Sequence, residues 1–153
     1  MISDDFTELI ASSPNTIDYY LDRGIALFDE GRYFEAISDL LYYESSGGLD
    51  PTVQRYLALS FYYSRAGSAV SRLERYLQDS PNSLDVVLLL ADHYYELCNY
   101  FSAAKYYKIA VEKGYDPNIL VKKAQPLLDR KMYDEAGYFV DVQKPKKWLF
   151  RRR

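Results

Sequence analysis

The sequence has one cysteine, one histidine, one tryptophan and two methionines in 153 residues. Cys98 cannot pair within the chain, so no disulfide framework is available. That economy suits a reducing compartment, and a cytoplasmic location is the expectation. His93 is the only histidine and no second thiol lies near Cys98, so neither a zinc site nor a Cys–His nucleophile can be assembled from one chain. His93 reads as an ordinary helix residue. The seven glycines follow no phosphate-loop spacing, and Asp4-Asp5 reads as a solvated helix start, favoured at the positive end of the helix dipole. No uninterrupted apolar stretch reaches about 18 residues. Met1 to Asp5 carries acids where a secretory signal carries Lys or Arg. The expectation is a protein that is not an enzyme, with no cofactor, metal, export signal or membrane span.

What is present is enough for a folded domain. Hydrophobic residues make up 48% and charged residues 27%, a balance that excludes disorder for most of the chain. Tyrosine is in excess: 17 residues, five times as adjacent pairs from Tyr19-Tyr20 to Tyr106-Tyr107. Such an excess suits closely packed elements with one wet edge. Charge is uneven. The last ten residues, Lys144 to Arg153, hold six bases and no acid, which leaves 13 bases against 22 acids, a net −9, in the body. An acidic body makes nucleic acid an unsuitable partner.

Prolines at Pro14, Pro51, Pro81 and Pro117 punctuate the chain at intervals of 37, 30 and 36 residues. Between them apolar residues recur at three and four, the helical period, so each interval has the length of a two-helix unit. Within it a phrase repeats: a large residue, an apolar one three later, a small one next, then a large one, an alanine about a dozen places beyond the small residue, a large residue and a closing proline. The copies are Tyr20, Arg23, Gly24, Leu27, Ala36, Leu40, Pro51; Tyr56, Leu59, Ser60, Tyr63, Ala69, Leu73, Pro81; Val87, Leu90, Ala91, Tyr94, Ala103, Tyr107, Pro117; and, more weakly, Leu120, Lys123, Ala124, Leu127, Ala136, Val140, Pro145. On these residues the chain resembles the tetratricopeptide repeat family.

The resemblance implies an all-α fold, an α-solenoid of antiparallel helical hairpins with three to four repeats. The expected organisation is one domain over 1–143, with a capping helix over 4–12 packed through Phe6, Leu9 and Ile10. Repeats follow at about 17–50, 51–81, 82–116 and 117–143, then a tail over 144–153. The small residues Gly24, Ser60, Ala91 and Ala124 let paired helices approach. Gly31, Cys98 and Lys131 occupy equivalent turns. Departures carry their own expectations. Nine residues separate Ser60 from Ala69 where the other copies have twelve, which predicts short helices in the second repeat. Pro126 predicts a kinked or shortened helix in the fourth.

In the family, the first helices of successive repeats line a concave groove that binds peptides or partner helices. Carried over position by position, the expected peptide-binding residues are Leu21, Ile25 and Phe28; Gln54, Leu57 and Phe61; Asp85, Leu88, Asp92 and Tyr95; and Val121 and Leu128. Around them stand Asp18, Asp29, Glu96 and Asp129, against the single base Arg65. The family's carboxylate clamp is absent, since its places hold Leu21, Ile25, Ala58, Asp85 and Leu89. The expected ligand is therefore a protein segment with apolar anchors and basic neighbours, and the expected role is adaptor, assembly factor or chaperone. Size and architecture are also similar to the small chaperones of bacterial type III secretion. The tail residues Lys146, Lys147, Trp148, Phe150, Arg151, Arg152 and Arg153 have that ligand composition themselves. They allow docking in a groove with formation of a homo-oligomer, contact with an anionic membrane surface in a self-assembling scaffold, or a solubilising end.

Overall fold

A computed structural model describes residues 1–145. Among these residues there are nine helices and no strand: α1 Ile2–Ser12, α2 Asp18–Asp29, α3 Tyr33–Ser45, α4 Thr52–Tyr63, α5 Ala69–Asp79, α6 Leu84–Glu96, α7 Tyr100–Glu112, α8 Asn118–Asp129 and α9 Tyr133–Ala136. The chain gathers into two compact units, Met1–Ser80 and the residues from Pro81 onward.

In the first unit α1 packs on α2, α2 pairs with α3, α3 leads into α4, and α4 pairs with α5. Leu21, Leu27, Ala36, Leu40, Tyr43, Val53 and Leu57 form a core cluster there. The closest approach falls at Gly24, where an added Cβ would lie 2.8 Å from the Leu40 side chain. In the second unit α6 pairs with α7 and α8 with α9. Its core is Ala91, Tyr100, Ala103, Ala104, Tyr107, Ala124, Leu127, Ala136 and Phe139. Alanine is frequent in the second cluster, with five of nine residues, because it brings backbones together without leaving a void.

The turns repeat one device. Gly31, Arg65, Cys98 and Lys131 each take a left-handed conformation, with φ of 77°, 56°, 58° and 60°. At each, two amides close back on the helix: Gly31 and Arg32 donate to the carbonyls of Phe28 and Leu27, and Cys98 and Asn99 to those of Tyr95 and Tyr94. This paired closure satisfies carbonyls that a helix end leaves open. Cys98 is accordingly an exposed turn residue.

Several expectations need correction. The capping helix begins at Ile2, two residues earlier than expected, because Ser3 is drawn inward: it is 1% exposed and its backbone N–H and Oγ both donate to the Glu30 carboxylate. Leu9 stays 40% exposed, so α1 packs through Ile10 and the half-buried Phe6. The missing turn of the second repeat falls on α5 alone. Ala69 is its first residue, whereas Ala36, Ala103 and Ala136 are the fourth of theirs, and α4 keeps twelve residues. Helix α8 runs through Pro126 to Asp129 at the same length as α2, because the hydrogen bond that proline cannot give would have gone to Lys122, on the exposed face. The fourth hairpin is instead curtailed at its second helix, a single turn followed by bonds from Tyr138 to Glu135 and Phe139 to Ala136.

The small-residue position gives two opposed stability changes. Gly24→Ala forces a methyl against the fully buried Leu40 and should cost about 1–3 kcal/mol. The Ser60 hydroxyl is buried without a hydrogen-bond partner among the described residues, so Ser60→Ala should stabilise by about 1 kcal/mol. Urea denaturation of both variants checks the pair, and a destabilised Ser60→Ala would show that its hydroxyl is satisfied.

Candidate functional site

The expected binding residues divide between the two units. On α2 the residues at the helical period Leu21, Gly24 and Leu27 are buried, leaving Asp18, Asp22, Ile25 and Asp29 along the opposite edge. Beside that edge lies α1. Together Ile2 and Phe6 of α1 with Asp22, Ile25, Ala26, Asp29 and Glu30 line an open cleft of about 420 Å³. Its floor is apolar and its rim acidic. Neither Asp22 nor Asp29 joins an ion pair among the described residues. Partial burial pushes the Asp22 carboxyl above its ordinary range, and Asp18 and Asp50 add to the effect. Uncompensated negative potential of this kind favours an approaching cation.

Of the other residues expected in this unit, Leu21 and Leu57 are 6% and 1% exposed and belong to the core. They fill the seam where α2 meets α4, so they cannot line an open surface. Phe28 is half-buried among Tyr33, Tyr56 and Tyr63, with ring centres 5.2, 5.1 and 6.2 Å away. Phe61 lies under the Arg72 guanidinium, 4.2 Å from its ring centre. Gln54 donates to Glu44 and borders a separate polar cavity with Arg72, Arg75 and Asp79. Ile25, with the flanking acid Asp29, is what reaches the cleft of the places expected on α2. Ile2 and Phe6 were not expected there, because only the packing of α1 on α2 brings them to Ile25, and Asp22, one turn before Ile25 on α2, was not among the expected places.

In the second unit the expected acid Asp92 is already engaged. It accepts from the Tyr107 hydroxyl and from Lys123 Nζ, the latter at 3.0 Å. The Tyr95 hydroxyl donates to the Lys123 carbonyl at 2.9 Å, and Lys123 Nζ stands 4.7 and 5.1 Å from the ring centres of Tyr95 and Tyr107. Burial, reinforced by the bond to Asp92, pushes the Tyr107 hydroxyl well above the usual phenol range. Asp92 and Tyr95 therefore brace α6 against α7 and α8. Leu88 and Leu128 pack on the core, while Asp85 and Val121 are exposed. Lys123 carried a readable signal, a cation at a repeat position that ordinarily holds an apolar residue. Arg23 is its counterpart in the first repeat, with Nε and Nη2 at 2.6 and 2.8 Å from the buried Asp39 carboxylate.

The tail residues Lys146, Lys147, Trp148, Phe150, Arg151, Arg152 and Arg153 lie outside the described residues. Lys144 is described, and it pairs with Asp134. Among the described residues no group of three or more His, Cys, Asp or Glu side chains is placed to hold a metal ion, and no helix is long and apolar enough to cross a membrane.

No family model and no curated protein matches the chain. Solved structures do. The crystal structure of MamA superposes with a TM-score of 0.68 over 90% of this chain and 82% of its own, at 16% identity. The C-terminal part of a TPR repeat-containing protein from Cytophaga hutchinsonii gives 0.67 over 88% of this chain at 18% identity. PilF of Pseudomonas aeruginosa gives 0.62 over 89% at 25% identity. The chain has the tetratricopeptide-repeat fold. It spans 54% of the Cytophaga chain and 63% of PilF, so this tetratricopeptide-repeat chain is shorter than those two neighbours.

Two measurements follow from the polar contacts. Glu30 accepts from Ser3 and Arg32, and the Ser3 amide and hydroxyl hold its carboxyl below the ordinary value of 4.5. A lowered folded value means that the latch on α1 is fully present above 4.5 and is lost as pH falls through the depressed value. Amide protection in Ile2–Ser12, taken relative to the unstructured rate at the same pH, should fall in that acidic window, and Glu30→Gln should lower it at neutral pH as well. In a double-mutant cycle on unfolding, Asp92→Asn and Lys123→Met should show a coupling of about 0.5–1 kcal/mol. Strict additivity would deny the pair a bracing role.

Proposed function

We propose that this chain is a non-catalytic protein-interaction module, acting as an adaptor, assembly factor or chaperone in the cytoplasm. It takes a partner segment of apolar residues flanked by bases into the α1/α2 cleft. The observation that carries the reading is the combination at one place of an apolar floor, the exposed Ile2 with the half-buried Ile25, and rim carboxylates, Asp22 and Asp29, without ion-pair partners among the described residues. An apolar surface left open by a helix pair otherwise costs solubility, and unpaired acids beside it select the charge of what covers it. The ligand is gripped by burial of its apolar side chains, while the carboxylates steer and orient it.

The cleft is small against a standard protein interface, so a single segment should bind weakly, with a Kd on the order of micromolar. Fluorescence anisotropy with peptides that carry an aromatic–aliphatic triplet between lysines and arginines measures it. Ile25→Asp, on a half-exposed position, should weaken binding about tenfold or more with the helical circular dichroism unchanged. Equal binding of the same triplet flanked by Asp and Glu would contradict the proposal.

A further inference from the structure

Resting on the cleft just described, we infer that its occupant is the C-terminal segment Lys146–Arg153 of a second copy, so that copies associate head to tail. Charge is the first argument. Met1–Ser80 carries 6 bases, all arginine, against 13 acids, a net −7. From Pro81 to the end there are 13 bases against 9 acids, a net +4. Two copies of one chain thus present opposite charge to each other when the first unit of one meets the end of another, and like charge when equivalent parts meet. A contact between different surfaces is the arrangement this asymmetry favours.

Pattern is the second argument. The segment places Trp148, Leu149 and Phe150 between Lys147 and Arg151. Four residues of extended chain span about 13 Å. On α2, Asp22 and Asp29 stand seven residues apart, about 10 Å along the helix, with Ile25 and Ala26 between them. Base, apolar triplet, base therefore meets acid, apolar floor, acid at similar spacing. The root of the segment is also separate from its ligand part: Lys144 is held to Asp134 within its own unit, and the remaining five bases all follow Pro145.

Sedimentation velocity of the full chain over a range of concentration and salt tests the inference. Wild type should grow in mass with concentration and dissociate as salt screens the charges. Asp22→Lys with Asp29→Lys should lower the apparent association constant about tenfold or more, as should Arg151→Glu, Arg152→Glu and Arg153→Glu together. Combining both sets in one chain should restore association, a result that a merely misfolded variant cannot give. Monomeric wild type at all concentrations overturns the inference. So does association that ignores the cleft changes, or a Trp148 emission shift caused by them in a strictly monomeric chain, which would place the segment on its own chain. Capture by anionic vesicles of wild type and cleft variant alike, without association, overturns it in favour of a lipid surface. If the external basic peptides still bind at Ile25 while copies stay apart, the occupant is wrong and the cleft stands. Loss of both removes the cleft reading.

Discussion

The approach of Leu40 to Gly24 sets the terms for the first unit. With no side chain on α2 at that point, Leu40 is completely enclosed and α3 closes onto α2. A shorter distance between helix axes leaves less room on either side, so the bulky residues of the hairpin are forced into the seams with neighbouring helices. Leu21 and Leu57 end there, sealed between α2 and α4, and Phe28 is held among three tyrosines. Ile25 of α2 stays half-buried beside α1, and the cleft lies there.

Electrostatic compensation explains which acids remain available. Arg23 and Lys123 occupy repeat positions built for an apolar side chain, and each reaches a carboxylate, Asp39 and Asp92 respectively. A cation taken from water needs a partner and further hydrogen bonds to offset the desolvation. The Asp39 fork gives Arg23 two such bonds, while the Lys123 ammonium has the Asp92 carboxylate and the faces of the Tyr95 and Tyr107 rings. Glu30 is similarly committed to Ser3 and Arg32. Asp22 and Asp29, beside the cleft, form no ion pair among the described residues.

Most of the architecture was legible in advance because it rests on local chemistry. The helical period, the proline intervals and the small residues at Gly24, Ala91 and Ala124 announce paired helices, and the left-handed turns at Gly31, Cys98 and Lys131 fall where the spacing places them. The cleft residues were less legible. A positional carry-over assigns a direction to each side chain of a first helix, but it is blind to α1, a helix outside the repeat pattern that supplies Ile2 and Phe6. Nor can it tell that Asp92 is matched by Lys123, thirty-one residues away.

Composition and periodicity alone determined the helices, their pairing, the turns and the segregation of charge along the chain, since each depends on neighbours within a few turns. Which apolar residues are enclosed, which acids keep their field and where an open cleft forms were decided only by tertiary packing. Burial and charge pairing are properties of distance in space, and that distance is fixed only when helices remote in sequence come into contact.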